Sequence, residues 1–191
     1  MMVALVLRGF FGKIPCKGDF VGRGLPADFI KPWEAWANNA LRGSRALLGG
    51  AWAEAWRQAP VWRFSLPGGA CGPHAALGLV LPSVDRVGRA WPLVVAALFQ
   101  GHVKPALPCR YRAFLEQIED AAREAIATDV DPDRLAGKIA GFALPAFDPA
   151  DFQDALWWTE GAPSVAAQCL AVPGLPAMPH FAALLAGGES T

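Results

Sequence analysis

Residues 76–99 read ALGLVLPSVDRVGRAWPLVVAALF. Two apolar runs, Ala76–Leu81 and Trp91–Phe99, enclose a polar knot, Pro82–Arg89. The runs are short, apolar and bounded by proline, as strands are, so the stretch predicts a wide hairpin whose connection carries the charge. Charge lying between two core strands, away from a chain end, marks the connection as more than a spacer. Its core, Asp85-Arg86-Val87-Gly88-Arg89, recurs near the N-terminus as Asp19-Phe20-Val21-Gly22-Arg23.

Outward from the hairpin, strands and helices follow in turn. Residues 3–15 predict an N-terminal strand up to Pro15, and CKGDFVGRGLP after it has the glycine and charge of an ordered loop. A helix is expected from near residue 30, with Pro32 in its first turn and Trp33, Trp36 and Ala40 on one face. Trp52 and Trp56 share a face of a second helix, or of the same one broken at Gly49-Gly50. Val61–Leu66 predicts a strand, closed by a turn at Pro67-Gly68-Gly69. Phe114, Ile118, Ala121, Ala122 and Ala125 keep helical period within Cys109–Thr128, and Asp131-Pro132 caps a short helix to about Ile139. Residues 141–153 predict a packed loop, Ala155–Thr159 and Val165–Val172 late strands, and Met178–Leu185 a closing helix. The expectation is one α/β domain over residues 1–191, with a helical segment at about 109–140.

Composition narrows the function. Seventeen basic and seventeen acidic residues give a formal charge of zero, so nothing draws the whole molecule to nucleic acid or an anionic membrane. An apolar fraction of 53% against 18% charged excludes disorder. The longest apolar run, Trp91–Phe99, contains Pro92 and falls well short of the roughly 20 residues of a membrane span. MMVALVLRGFF has its arginine after the apolar run and no small-residue cleavage site, so it fails as a secretory signal, and a cytoplasmic protein is expected. Cys16, Cys71, Cys109 and Cys169 are scattered and predict free thiols.

Catalytic patterns are weak. Gly12-Lys13 lacks the upstream glycine and following Ser or Thr of a nucleotide-binding loop. Cys71 and His74 have ligand-like spacing but no second pair for a closed zinc site, and no G-x-S-x-G is present. Glu116 and Glu119 predict a solvated helix face, and the paired tryptophans predict core. No enzyme activity, metal or cofactor is expected. The twin D-x-V-G-R loops remain. Asp19 and Asp85 can receive Arg23, Arg86 and Arg89 bidentately, so the loops either cross-bridge each other or face a partner, while Gly22 and Gly88 let the backbone turn. An anion-binding domain or small enzyme using the three arginines on a phosphate or carboxylate, and a structural component of a larger machine, are the alternatives.

At these residues a family resemblance emerges. GFFGKIPCKGDFVGRGLP, PVWRFSLPGGACG, GLVLPSVDRVGRAWPL and LWWTEG occur in the order in which the TagF family, also called ImpM, of type VI secretion-associated proteins carries them. The resemblance implies a three-layer α/β/α sandwich around a mixed, largely antiparallel sheet. It also implies a non-enzymatic regulator that represses type VI secretion after translation, with that system's forkhead-associated scaffold protein as partner. Its recurring positions make Lys13, Asp19, Phe20, Arg23, Ser83, Asp85, Arg86 and Arg89 candidate partner-binding residues. Gly12, Pro15, Gly18, Gly22, Pro82 and Gly88 are candidate turn formers.

Overall fold

In the computed structural model the described residues are 4–100, 111–143 and 155–186. They form seven strands and five α-helices. The strands are β1 (Ala4–Gly12), β2 (Val21–Arg23), β3 (Trp62–Leu66), β4 (Ala75–Leu81), β5 (Leu93–Gln100), β6 (Ala155–Thr159) and β7 (Gln168–Val172). The helices are α1 (Ala27–Leu48), α2 (Trp52–Gln58), α3 (Arg112–Ala127), α4 (Pro132–Gly141) and α5 (Met178–Ala186). One sheet runs in the order β2-β1-β5-β4-β3-β6-β7.

The β4–β5 hairpin sits at the centre of that sheet, which explains why its sequence is apolar without alternation: both faces are covered. Leu77, Leu79, Leu81, Leu93, Val95, Ala97 and Phe99 point to one face and pack with Phe114, Leu115, Ile118, Leu135 and Ile139 of α3 and α4. Ala76, Val80, Val94, Ala96 and Leu98 point to the other and pack with Phe29, Trp33, Trp56 and Leu184 of α1, α2 and α5. The side-chain period of two along a strand produces this split directly.

Every described strand pairing is antiparallel, so the mixed sheet expected from the sequence is not what forms. Parallel neighbours arise from crossover connections between adjacent strands. Here both long connections, β2 to β3 and β5 to β6, carry α-helices, α1 and α2 in the first and α3 and α4 among the described residues of the second, and join strands that are not neighbours.

Local expectations shift at proline and glycine. Strand β5 begins at Leu93, after Pro92, because proline has no N–H for the ladder. Helix α1 begins at Ala27, so Pro32 lies inside it and removes one backbone bond. It ends where Gly49 takes a positive φ, and the chain re-enters as α2, so the helix is broken at the glycines. Asp131 caps α4 as its sequence predicts, accepting the Asp133 amide at 2.9 Å. The late strand is shorter than expected, Gln168–Val172, with the buried Val165 outside it and bridged to Ala162. Part of CKGDFVGRGLP is not loop: Val21–Arg23 pairs with Phe10–Gly12 as an edge strand. The expected loop over 141–153, and Cys109 at the predicted start of α3, lie largely outside the described residues.

Among the eight tryptophans, all but the half-buried Trp36 are interior. Trp33, Phe64 and Trp157 form an aromatic centre with ring centroids 5.1 to 6.3 Å apart. Among the described residues no helix is long and apolar enough to cross a membrane.

Candidate functional site

Strand register assembles the site. Gly12, the last residue of β1, pairs with Leu93, the first of β5, and Leu93 pairs in turn with Leu81, the last of β4. Three strand ends therefore lie in one row, and the loops leaving β1 and β4 emerge side by side. Gly12 is required there: its φ is +145° and a Cβ would lie 2.2 Å from the Pro92 carbonyl oxygen.

The two loops are locked through Asp85. Its carboxylate is interior, 2% exposed. Oδ2 receives Lys13 Nζ at 2.9 Å from the first loop and Arg89 Nε at 2.6 Å from its own. Oδ1 receives the amides of Arg89 at 2.9 Å and Val87 at 3.1 Å. Burial, the largest influence, works to raise this carboxyl, but the Lys13 ammonium, the Arg89 amide and guanidinium and the Val87 amide outweigh it and hold it well below the usual carboxylate range.

Further bonds complete the lock. Ser83 Oγ donates to the Lys13 carbonyl at 2.7 Å, the Arg86 amide to the Lys17 carbonyl at 2.8 Å, and Arg89 Nη2 to the Gly18 carbonyl at 2.6 Å. The Asp85 loop closes on itself through Gly88 N to Asp85 O at 2.9 Å, with Gly88 at φ +82°. Cys16 Sγ donates to the Val130 carbonyl at 3.2 Å, fastening the first loop to the segment before α4.

This geometry corrects the expected cross-bridges. Among the described residues Asp19 pairs with no arginine; it accepts the Phe20 amide at 2.8 Å. Arg23 turns to Asp133 of α4, 2.7 Å away. The two copies of D-x-V-G-R adopt different structures, an edge strand at Val21–Arg23 and a tight turn at Asp85–Arg89, because β1 offers a free edge to the first. Arg23, Arg86 and Arg89 therefore do not converge on one anion: Arg23 faces Asp133 and Arg89 faces Asp85.

Accessibility divides the candidates. Lys13, Ser83 and Asp85 are buried and act inside the lock, which removes them from the contact surface expected for them. Asp19, Phe20, Arg23, Arg86 and Arg89 are exposed. Phe20 stacks on Phe11 at 5.7 Å and meets Trp91 edge-on at 4.9 Å, with Lys13 Nζ 5.2 Å from its ring centroid, yet it remains 37% exposed. Pro15 and Pro82 terminate the strand-end segments, half-buried, and Gly18 lies beneath the Arg86 guanidinium.

Two features escape the sequence reading. Val87, 68% exposed at the tip of the turn, is an apolar residue held in solvent, and its only signal is its place between two arginines. Glu119 is not on a solvated face: it bridges Arg63 of β3 at 2.8 Å and Arg123 at 2.8 Å, against an interior arginine that a strand pattern does not announce.

Other chemistry is structural where it can be described. Cys71 donates to the Phe29 carbonyl, and burial pushes its thiol up to about 12. Among the described residues no group of three or more His, Cys, Asp or Glu side chains could hold a metal ion.

The sequence model of the TagF N-terminal domain, type VI secretion system-associated, matches residues 9–142, a span that contains both loops and their lock. The chain belongs to the TagF family. The fold of this TagF-family chain is also that of PA0076 from Pseudomonas aeruginosa PAO1, whose crystal structure superposes with a TM-score of 0.87 at 30% identity, covering 96% of each chain. No curated protein matches the sequence. Type VI secretion association thus rests on the family, and the lock of Lys13, Asp85 and Arg89 lies within the matched residues.

Proposed function

We propose that this TagF-family protein is a non-enzymatic accessory regulator that represses type VI secretion after translation, in the cytoplasm, by binding the forkhead-associated scaffold of that system through the two-loop face. The single observation that carries this reading is the division of labour at the loops. The buried charges are consumed in bracing the backbone, while Phe20, Arg86 and Val87 are left in solvent on that braced frame. A frame built so rigidly around exposed apolar and cationic side chains suits recognition of a protein surface, where aromatic and arginine anchors dominate binding. Helices on both faces of the sheet support the three-layer α/β/α sandwich as the scaffold for that face.

The test is co-purification of the chain with the forkhead-associated scaffold, together with secreted effector levels when the chain is overproduced. Stable association and loss of effector from the medium are expected. An absence of both overturns the reading, and co-fractionation with assembled sheath or baseplate instead would make the protein a component of the machine.

A further inference from the structure

The two-loop face has a composition that the neutral chain as a whole does not. Residues 13–20 and 82–91 carry four cations, Lys13, Lys17, Arg86 and Arg89, against two carboxylates, Asp19 and Asp85. Asp85 is interior and spent on Lys13 and Arg89. Among the described residues no carboxylate lies within ion-pair distance of Lys17 or Arg86, both exposed. Arg86 is nevertheless placed: its amide bonds the Lys17 carbonyl and its guanidinium lies over Gly18, where a Cβ would come 3.5 Å from Nη2. Val87, next in the chain to Arg86, supplies exposed apolar area beside these cations, and Phe20 on the first loop, against Phe11 and Trp91, supplies more.

Acid lies to one side. Asp131 and Asp133 open α4, Asp129 precedes them, and Val130 between Asp129 and Asp131 accepts the Cys16 thiol of the first loop. The face is therefore basic at Lys17 and Arg86, while at the α4 end Asp133 is paired with Arg23 and Asp129 and Asp131 remain. Such a surface selects a partner and its orientation together, because the wrong rotation sets like charges against each other.

We propose that the occupant of this face is an acidic protein surface bearing a projecting apolar side chain, seated against Val87 and Phe20 with its carboxylates against Lys17 and Arg86. This rests on the partner-binding reading above but specifies chemistry in place of a name. Arg86, Lys17 and Val87 set specificity and association rate, while the Lys13–Asp85–Arg89 lock positions them. The electrostatic part weakens with salt, and the apolar part does not.

The experiment places a photo-crosslinking amino acid at Val87, and as a control at Leu47, an exposed residue of α1, in the full chain expressed in cells that carry a type VI cluster. Adducts are mapped to the captured peptide by mass spectrometry. The proposal expects an adduct from position 87 alone, to an acidic segment of one protein. It further expects that adduct to fall at least about tenfold in a folded Arg86→Glu or Lys17→Glu background, and to decline with added salt in lysate. An acidic segment of the forkhead-associated scaffold supports both readings. An acidic segment of another protein overturns the scaffold as partner and leaves the chemistry standing. An adduct to a neutral or basic segment, a second copy of this chain, nucleic acid or lipid, or no adduct at 87, overturns the proposal.

Discussion

Replacing Glu119 by leucine is expected to be among the costliest changes on the surface of α3. The Arg63 side chain is only 9% exposed beneath that helix and Glu119 15% exposed above it, with Nη2 to Oε2 at 2.8 Å. Arg63 Nη1 also reaches Glu160 Oε1 at 2.7 Å, but that glutamate is 60% exposed, and Arg63 Nε has no partner among the described residues. Removing one member of a buried pair costs about 3–5 kcal/mol, because the other charge is stranded away from water. Glu160 compensates in part, so Glu119→Leu falls at the lower end, about 3 kcal/mol. For a chain of this length that lowers Tm by roughly 6–12 °C.

The double variant Arg63→Met with Glu119→Leu removes both charges and fills the space with apolar atoms, and buried pairs replaced in this way are often neutral in stability. A double-mutant cycle should therefore show strong non-additivity, about 2–3 kcal/mol of coupling between the sites. Urea unfolding followed by tryptophan fluorescence measures it, with Trp157 and Trp158 on the adjoining β6. A loss below about 1 kcal/mol for Glu119→Leu, with an additive double variant, would refute the account of a desolvated bridge.

Three further outcomes follow from the site. Because the folded Asp85 carboxyl lies below its unfolded value, its stabilisation is present above the ordinary carboxylate pKa of about 4 and is lost as pH falls through the lower folded value. Asp85→Asn should thus lower stability throughout the neutral range and flatten the acid limb of a Tm-against-pH curve below about pH 4, and an unchanged acid limb would exclude Asp85 as its source. Gly88→Ala should cost about 1 kcal/mol, since Gly88 sits at φ +82° with nothing within 4 Å of an added Cβ; Gly88→Asn should recover much of it, and equal losses for both would point to a clash instead. Cys71 should resist alkylation until the chain unfolds while exposed Cys169 reacts in the native state, as peptide mapping after brief treatment with iodoacetamide would show.

The sequence by itself determined the elements whose causes are local. The apolar runs at 76–81 and 91–99, the period of Phe114 to Ala125, the Asp131-Pro132 cap and the break at Gly49-Gly50 each depend on neighbours a few residues away. The structure places strands, helices and breaks there. The family, too, was legible, because its words are contiguous. What only the tertiary structure decided is which distant groups meet. Asp85 was legible as important, but its partner among the cations depends on the Gly12–Leu93–Leu81 register, which sets Lys13 beside it and carries Arg23 away to Asp133. Identical D-x-V-G-R words became an edge strand and a turn because one had a strand to pair with and the other did not. Burial works the same way: Lys13 and Glu119 read as surface residues because their type favours water, and only the packing of α3 and of the loops over the strand ends removes them from it.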